Sequence, residues 1–158
     1  MKTKLGIVLL TLVLFGMGTA QTETQTRDNY AAVATSIISF EGHYGVADLL
    51  GPGDDLRFRV SVTPFFNLGL GAAAEALFDL GTVGAANIYG GGGLSLGYGG
   101  IYSVGGGNVA ALGTIGYEIP LDTISLIAEF STGVGLAFGA NSFVYPPFRA
   151  AFGVKFAL

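Results

Sequence analysis

The side chains able to do chemistry in this chain are few. His43 is the single histidine, with Ser36, Ser39 and Glu41 close before it. Serine, base and orienting acid are the parts of a nucleophilic triad. Such a triad needs each pair in hydrogen-bond reach, which closeness along the chain does not supply. A histidine beside a hairpin, solvated or turned inward, is the simpler reading, and no catalytic residue is expected. One histidine and no cysteine make a poor metal site, and the lack of cysteine also excludes disulfides and thioether anchoring. The glycine runs Gly90–Gly93 and Gly105–Gly107 lack the helix and lysine of a phosphate loop. No cofactor is expected. Glycine within a strand instead relieves crowding and permits curvature.

The remaining chemistry is charge, carried by Arg57, Arg59, Glu75, Asp79, Glu129 and Lys155. Their spacing shows what must hold them. From Ile124 the even positions read Ile, Leu, Ala, Phe, Thr, Val, Leu, Phe, and the odd ones read Ser, Ile, Glu, Ser, Gly, Gly, Ala. A period of two with one apolar face is a β-strand. Leu56, Phe58, Val60 and Val62 alternate in the same way with Arg57, Arg59, Ser61 and Thr63. Leu68 to Phe78 alternates with Gly69 to Asp79, and Phe148 to Leu158 with Arg149 to Ala157. The stretch 88–98 follows the pattern more weakly. Every charge in these strands falls on the small or polar face, including Glu118 and Arg149.

Composition agrees with an apolar exterior. Charged residues make up 11% of the chain, against about 25% in soluble domains. Leu80 to Tyr117 and Phe130 to Phe148 carry no charge, but glycines such as Gly90–Gly93 and the pair Pro146-Pro147 exclude helices there. Segments of about ten residues, apolar outside and polar inside, are the signature of a membrane barrel, and a tilted strand of about 9–11 residues crosses a bilayer. Closure is needed because an open edge in hydrocarbon strands backbone groups.

Lys2 and Lys4, the apolar run Leu5–Phe15 and the small residues Gly18-Thr19-Ala20 read as a cleaved signal over 1–20. A polar leader (21–29) and a barrel domain (30–158) follow. Without the signal, five basic residues face eleven acidic ones, a net charge of −6. That argues against nucleic acid as a partner. Six strands are expected at 55–63, 67–79, 86–98, 108–119, 123–138 and 147–158. Pro64 to Asn67 and Pro120-Leu121-Asp122 form tight connections. Tyr30–Phe40 and His43–Leu50 complete an even count of eight as a hairpin turning at Glu41-Gly42. The expected fold is all-β: a closed, antiparallel, eight-stranded, up-and-down transmembrane barrel.

The stretch from Gly116 to Phe130, with Gly116-Tyr117-Glu118, the turn at Pro120-Leu121-Asp122 and Ala128-Glu129-Phe130, resembles the small eight-stranded OmpA/OmpX-like outer-membrane barrels. The ending Phe152-Gly153-Val154-Lys155-Phe156-Ala157-Leu158 is similar to that family's closing strand, although it finishes in Leu158 where the family has Phe or Tyr. The resemblance covers Tyr30 to Leu158. It implies outer-membrane lipid and the barrel-assembly machinery as partners, with another envelope protein or polymer as a further candidate. It also puts the 118–123 turn and Gly81–Ala85 on the periplasmic side, and Pro64–Asn67 outside. Arg57, Arg59, Glu75, Asp79, Glu129 and Lys155 then project into the lumen. They could line a gated ion path, or form a plug of mutually neutralising charges in an interior too narrow for much water. The plug is the favoured reading, with an envelope-integrity or anchoring role. A narrow porin-like channel and a soluble lipid-binding barrel are the alternatives. Phe65, Phe66, Tyr98, Tyr102, Phe138, Phe143, Tyr145 and Phe148 read as an interfacial girdle. Ser131, on the inward face, is expected to tolerate polar replacement.

Overall fold

Alternating side chains make nine β-segments, in a computed structural model that describes residues 27–64, 68–99, 106–139 and 141–158. Residues 1–20, expected to be a signal, together with Gln21 to Thr26, Phe65, Phe66, Asn67 and Tyr102 lie outside the described residues. The segments are β1 (Tyr30–Ser36), β2 (Phe40–Gly51), β3 (Asp54–Thr63), β4 (Gly69–Val83), β5 (Ala86–Gly99), β6 (Gly107–Leu121), β7 (Ile124–Phe138), β8 (Phe143–Tyr145) and β9 (Phe148–Ala157). Each pairs antiparallel with its sequence neighbour from β1 to β7, and β7 then pairs with both β8 and β9. The pairing of β1 with β9 closes the barrel. Segments β8 and β9 are one stave interrupted by Pro146-Pro147, because proline has no N–H to give the ladder. There are therefore eight staves.

The first hairpin corrects the expected turn. The chain reverses over Ile37–Ser39, where the Ser36 amide donates to the Ser39 carbonyl at 2.8 Å, rather than at Glu41-Gly42. Glu41 belongs to β2, opposite Ser61. The serine hydroxyls explain the shift. Ser36 Oγ accepts from the Ser39 amide at 3.0 Å, which turns the chain without glycine or proline.

Parity fixes the two ends. The termini share one end with the two-residue turns 52–53, 84–85 and 122–123, and the longer connections lie at the opposite rim. Pro52-Gly53 uses a glycine at φ 87° in a left-handed position. Outward-facing Val60, Leu94, Val134 and Phe152 are each more than 60% exposed. Inward-facing Arg57, Glu75, Glu129 and Ser131 are each 5% exposed or less. Polar groups fill the middle and apolar ones the outside.

Three tyrosines seal the interior against glycines directly across the ladder. Tyr30 lies over Gly45, Tyr89 over Gly116 and Tyr145 over Gly135. A methyl group at Gly116 would stand 2.1 Å from the Tyr89 ring. The ring cannot swing aside freely, because its hydroxyl donates to Glu129 at 2.6 Å. Gly116→Ala is therefore expected to cost about 1–3 kcal/mol by overpacking, read as a lower urea midpoint. Tyr145 was expected in the outer girdle, but it is buried in the lumen. Tyr98, Phe138 and Phe148 are exposed on the outer wall near the rim, whereas Phe143 shares the inward face of Tyr145 and is exposed at the mouth.

Candidate functional site: a ring of charge across the lumen

Inward parity brings three arginines and three glutamates to one level of the barrel. Arg57 stands directly opposite Glu75 in the β3–β4 register. Its Nε and Nη2 donate to Glu75 at 3.1 and 2.8 Å, while Nη1 reaches across the lumen to Glu129 on β7. Glu129 also accepts from Arg149 Nη1 at 2.8 Å, and Arg149 Nε donates to Glu41 at 2.7 Å. Arg59 completes the circuit, 3.9 Å from both Glu41 and Glu75. The six groups thus form a closed ring of alternating sign with no net charge. The segments β3 and β7 face each other across an eight-stave barrel, so the ring spans the lumen.

Neutral donors tighten it. Thr114 Oγ1 donates to Glu75 at 2.9 Å, and Ser131 Oγ lies 2.9 Å from Thr114 and 3.3 Å from Arg149. With Tyr89 on Glu129, each carboxylate of the ring has several partners, as buried charge requires. The Arg59 contacts are long, and its Nη1 has no hydrogen-bond partner among the described residues. That corner is held by charge more than by hydrogen bonds.

The ring divides the interior. Towards the termini lies a cavity of about 280 Å³ bordered by Tyr30, His43, Asp55, Arg57, Tyr89 and Lys155. Towards the rim lies one of about 190 Å³ bordered by Arg59, Ser61, Ser95, Asn108, Ser131 and Arg149. Lys155 was expected among the interior charges. It forms its own pair with Glu118 at 2.8 Å, with its ammonium 4.2 Å from the centre of the Tyr30 ring. Arg27 pairs with Asp55 at 3.2 Å at the mouth.

Asp79 is a correction: it has inward parity, but it joins no ion pair among the described residues. A bulge between Asp79 and Gly81 breaks the register, and the Asp79 carboxylate accepts from the Gly81 amide at 2.7 Å. The residue caps that bulge at the exposed mouth. Sequence reasoning left Glu41, Tyr89, Arg149, Thr114 and Ser131 out of the network. Arg149 had the right parity, and Glu41 was assigned to a turn. Glycines on both faces of β5 obscure the phase of Tyr89. Ser131 Oγ is held between Thr114 and Arg149 beside the ring, contacts that its inward parity alone does not report.

His43 lies buried beneath the ring, its Nε2 3.1 Å from Glu41 Oε2. Ser39 Oγ donates to the other oxygen of Glu41 at 3.3 Å. The order is serine, carboxylate, imidazole. The hydroxyl meets the acid rather than the base, so the triad arrangement does not form. Among the described residues no group of side chains is arranged to hold a metal ion.

No family model matches the chain, and no curated protein matches it. Among solved structures it is similar to the crystal structure of the N-terminal beta-barrel domain of Pseudomonas aeruginosa OprF, at 17% identity and a TM-score of 0.62. The match covers 85% of this chain and 100% of that one. The likeness establishes the fold: a closed antiparallel barrel of eight staves, the architecture of the small OmpA-like barrels.

Proposed function

We propose that this chain, sharing its barrel fold with the N-terminal domain of OprF, is an integral outer-membrane protein with a plugged lumen. Its role is structural: it contributes to envelope integrity or anchors another envelope component, and catalyses nothing. The carrying observation is the closed ring Arg57–Glu75–Arg59–Glu41–Arg149–Glu129 set inside a wall of exposed apolar side chains. A soluble lipid-binding barrel needs the reverse arrangement. Its partners are then outer-membrane lipid and the barrel-assembly machinery, reached after export by a cleaved signal. The two-residue turns and the termini face the periplasm, since short turns mark that side in such barrels.

The test is conductance. Folded protein in planar bilayers should give no steps, and unheated samples should migrate as a compact barrel. The rival reading is a narrow channel, supported by the cavities on either side of the ring. Ion-selective steps in the wild-type protein, altered by Arg59→Ala, would replace the plug with a gate. A native protein that stays monomeric in water without detergent would restore the soluble barrel.

A further inference from the structure

The two ends of the barrel differ in charge. The described residues of the connections at the rim opposite the termini (37–39, 64, 68, 99, 106, 139, 141 and 142) include no Asp, Glu, Lys, Arg or His. At the other end Arg27, Asp28, Asp79 and Asp122 are all exposed. The described rim is strongly apolar: Ile37 is 85% exposed, Val144 71% and Leu68 69%, with Tyr98, Phe138 and Phe143 beside them.

The wall is also too tall. The outward face of β7 carries no charge from Ile124 to Phe138. At ~3.3 Å per residue and a tilt of about 40°, those fifteen residues rise about 35 Å. The apolar band of a membrane barrel is about 25 Å. The excess of about 10 Å cannot extend beyond the termini end, because the exposed charges there must meet water.

We propose that the rim opposite the termini is a lipid-contacting surface, lying within the outer leaflet rather than projecting into water. This rests on the membrane reading above. Val144, Leu68, Tyr98 and Phe138 point radially, out of phase with the lumenal residues, and continue the wall without a break. A second copy stacked end to end would leave them uncovered, whereas surrounding lipid covers them. With no lysine or arginine among the described residues of this rim to grip phosphate, the contact is with acyl chains and the glycerol level rather than charged headgroups.

The chain contains no tryptophan, so one introduced tryptophan is a clean probe of depth. Val144→Trp, Ile37→Trp, Leu94→Trp at mid-wall and Asp122→Trp are each folded into phosphatidylcholine vesicles. The lipids carry bromine at shallow or deep acyl positions, and iodide serves as the aqueous quencher. Val144→Trp and Ile37→Trp should emit to the blue of Asp122→Trp, lose most intensity to shallow bromine and resist iodide. Leu94→Trp should lose most to deep bromine. If the rim probes are quenched by iodide as Asp122→Trp is, while Leu94→Trp responds to lipid, the rim projects and the inference is overturned. Rim probes shielded from both quenchers in a protein-density-dependent way would mean that another copy covers the rim, which also overturns it. Leu94→Trp insensitive to bromine would instead overturn the membrane reading and the inference with it. If Val144→Trp does not fold, Ile37→Trp in the connection reads the same depth and decides between the same outcomes.

Discussion

Arg57→Met is expected to destabilise the folded barrel by about 3–5 kcal/mol, the usual cost of leaving a buried charge without its partner. Arg57 is 1% exposed and joins Glu75 to Glu129, so its loss opens the ring at two bonds and leaves three carboxylates facing two arginines. Glu75→Gln should cost less, because Thr114 can still donate to the amide oxygen. The double variant restores equal numbers of each sign and should recover part of the loss, with a coupling of about 0.5–3 kcal/mol. Urea unfolding of the protein in vesicles measures all four corners of the cycle. Strict additivity would mean that the pair acts independently, and the neutral ring would lose its energetic meaning. Little change in stability with a gain of conductance would identify a gate.

The Arg57–Glu75 pairing was legible in the sequence because both residues sit in strong alternation on either side of one short connection. Counting along β3 and β4 gives their register. The same logic gave the inward faces of β7 and β9, where bulky apolar residues alternate with charge. It failed where something other than alternation decided the outcome. Ile37 and Ile38 look like strand and Glu41-Gly42 looks like a turn, yet the hydroxyls of Ser36 and Ser39 close the reversal. That error placed Glu41 outside the lumen. Asp79 had the correct parity, but a bulge changed its fate. The bonds from Arg57 to Glu129, across the barrel, and from Arg149 to Glu41, over the intervening β1, join residues 72 and 108 positions apart, and no period in the sequence reports them. Parity tells which way a side chain points; which inward residues share a level depends on the stagger of all eight staves.

Val134→Arg separates the membrane reading from its soluble rival by the direction of the effect. Val134 lies on the outward face of β7, nearer the rim than the middle, and is 65% exposed, between Thr132 and Leu136 on the same side. In a bilayer, a lipid-facing arginine costs about 2–4 kcal/mol at the midplane and less towards the interface, so a loss below that range is expected on the rim side of β7. In water, the same substitution on an exposed strand face would be nearly neutral and would improve solubility. The control must be inward but outside the ring, which excludes Ser131. Ser95 is half-buried at the edge of the rim-side cavity, and Ser95→Asn has room beside it. Val134→Arg should therefore lower the urea midpoint in vesicles and the folded yield, while Ser95→Asn leaves both close to wild type. The reverse order would place the strand faces one residue out of register, since a single step exchanges the two sides of every strand. It would also put the arginines of the ring against lipid, where no arrangement of partners in this chain could satisfy them.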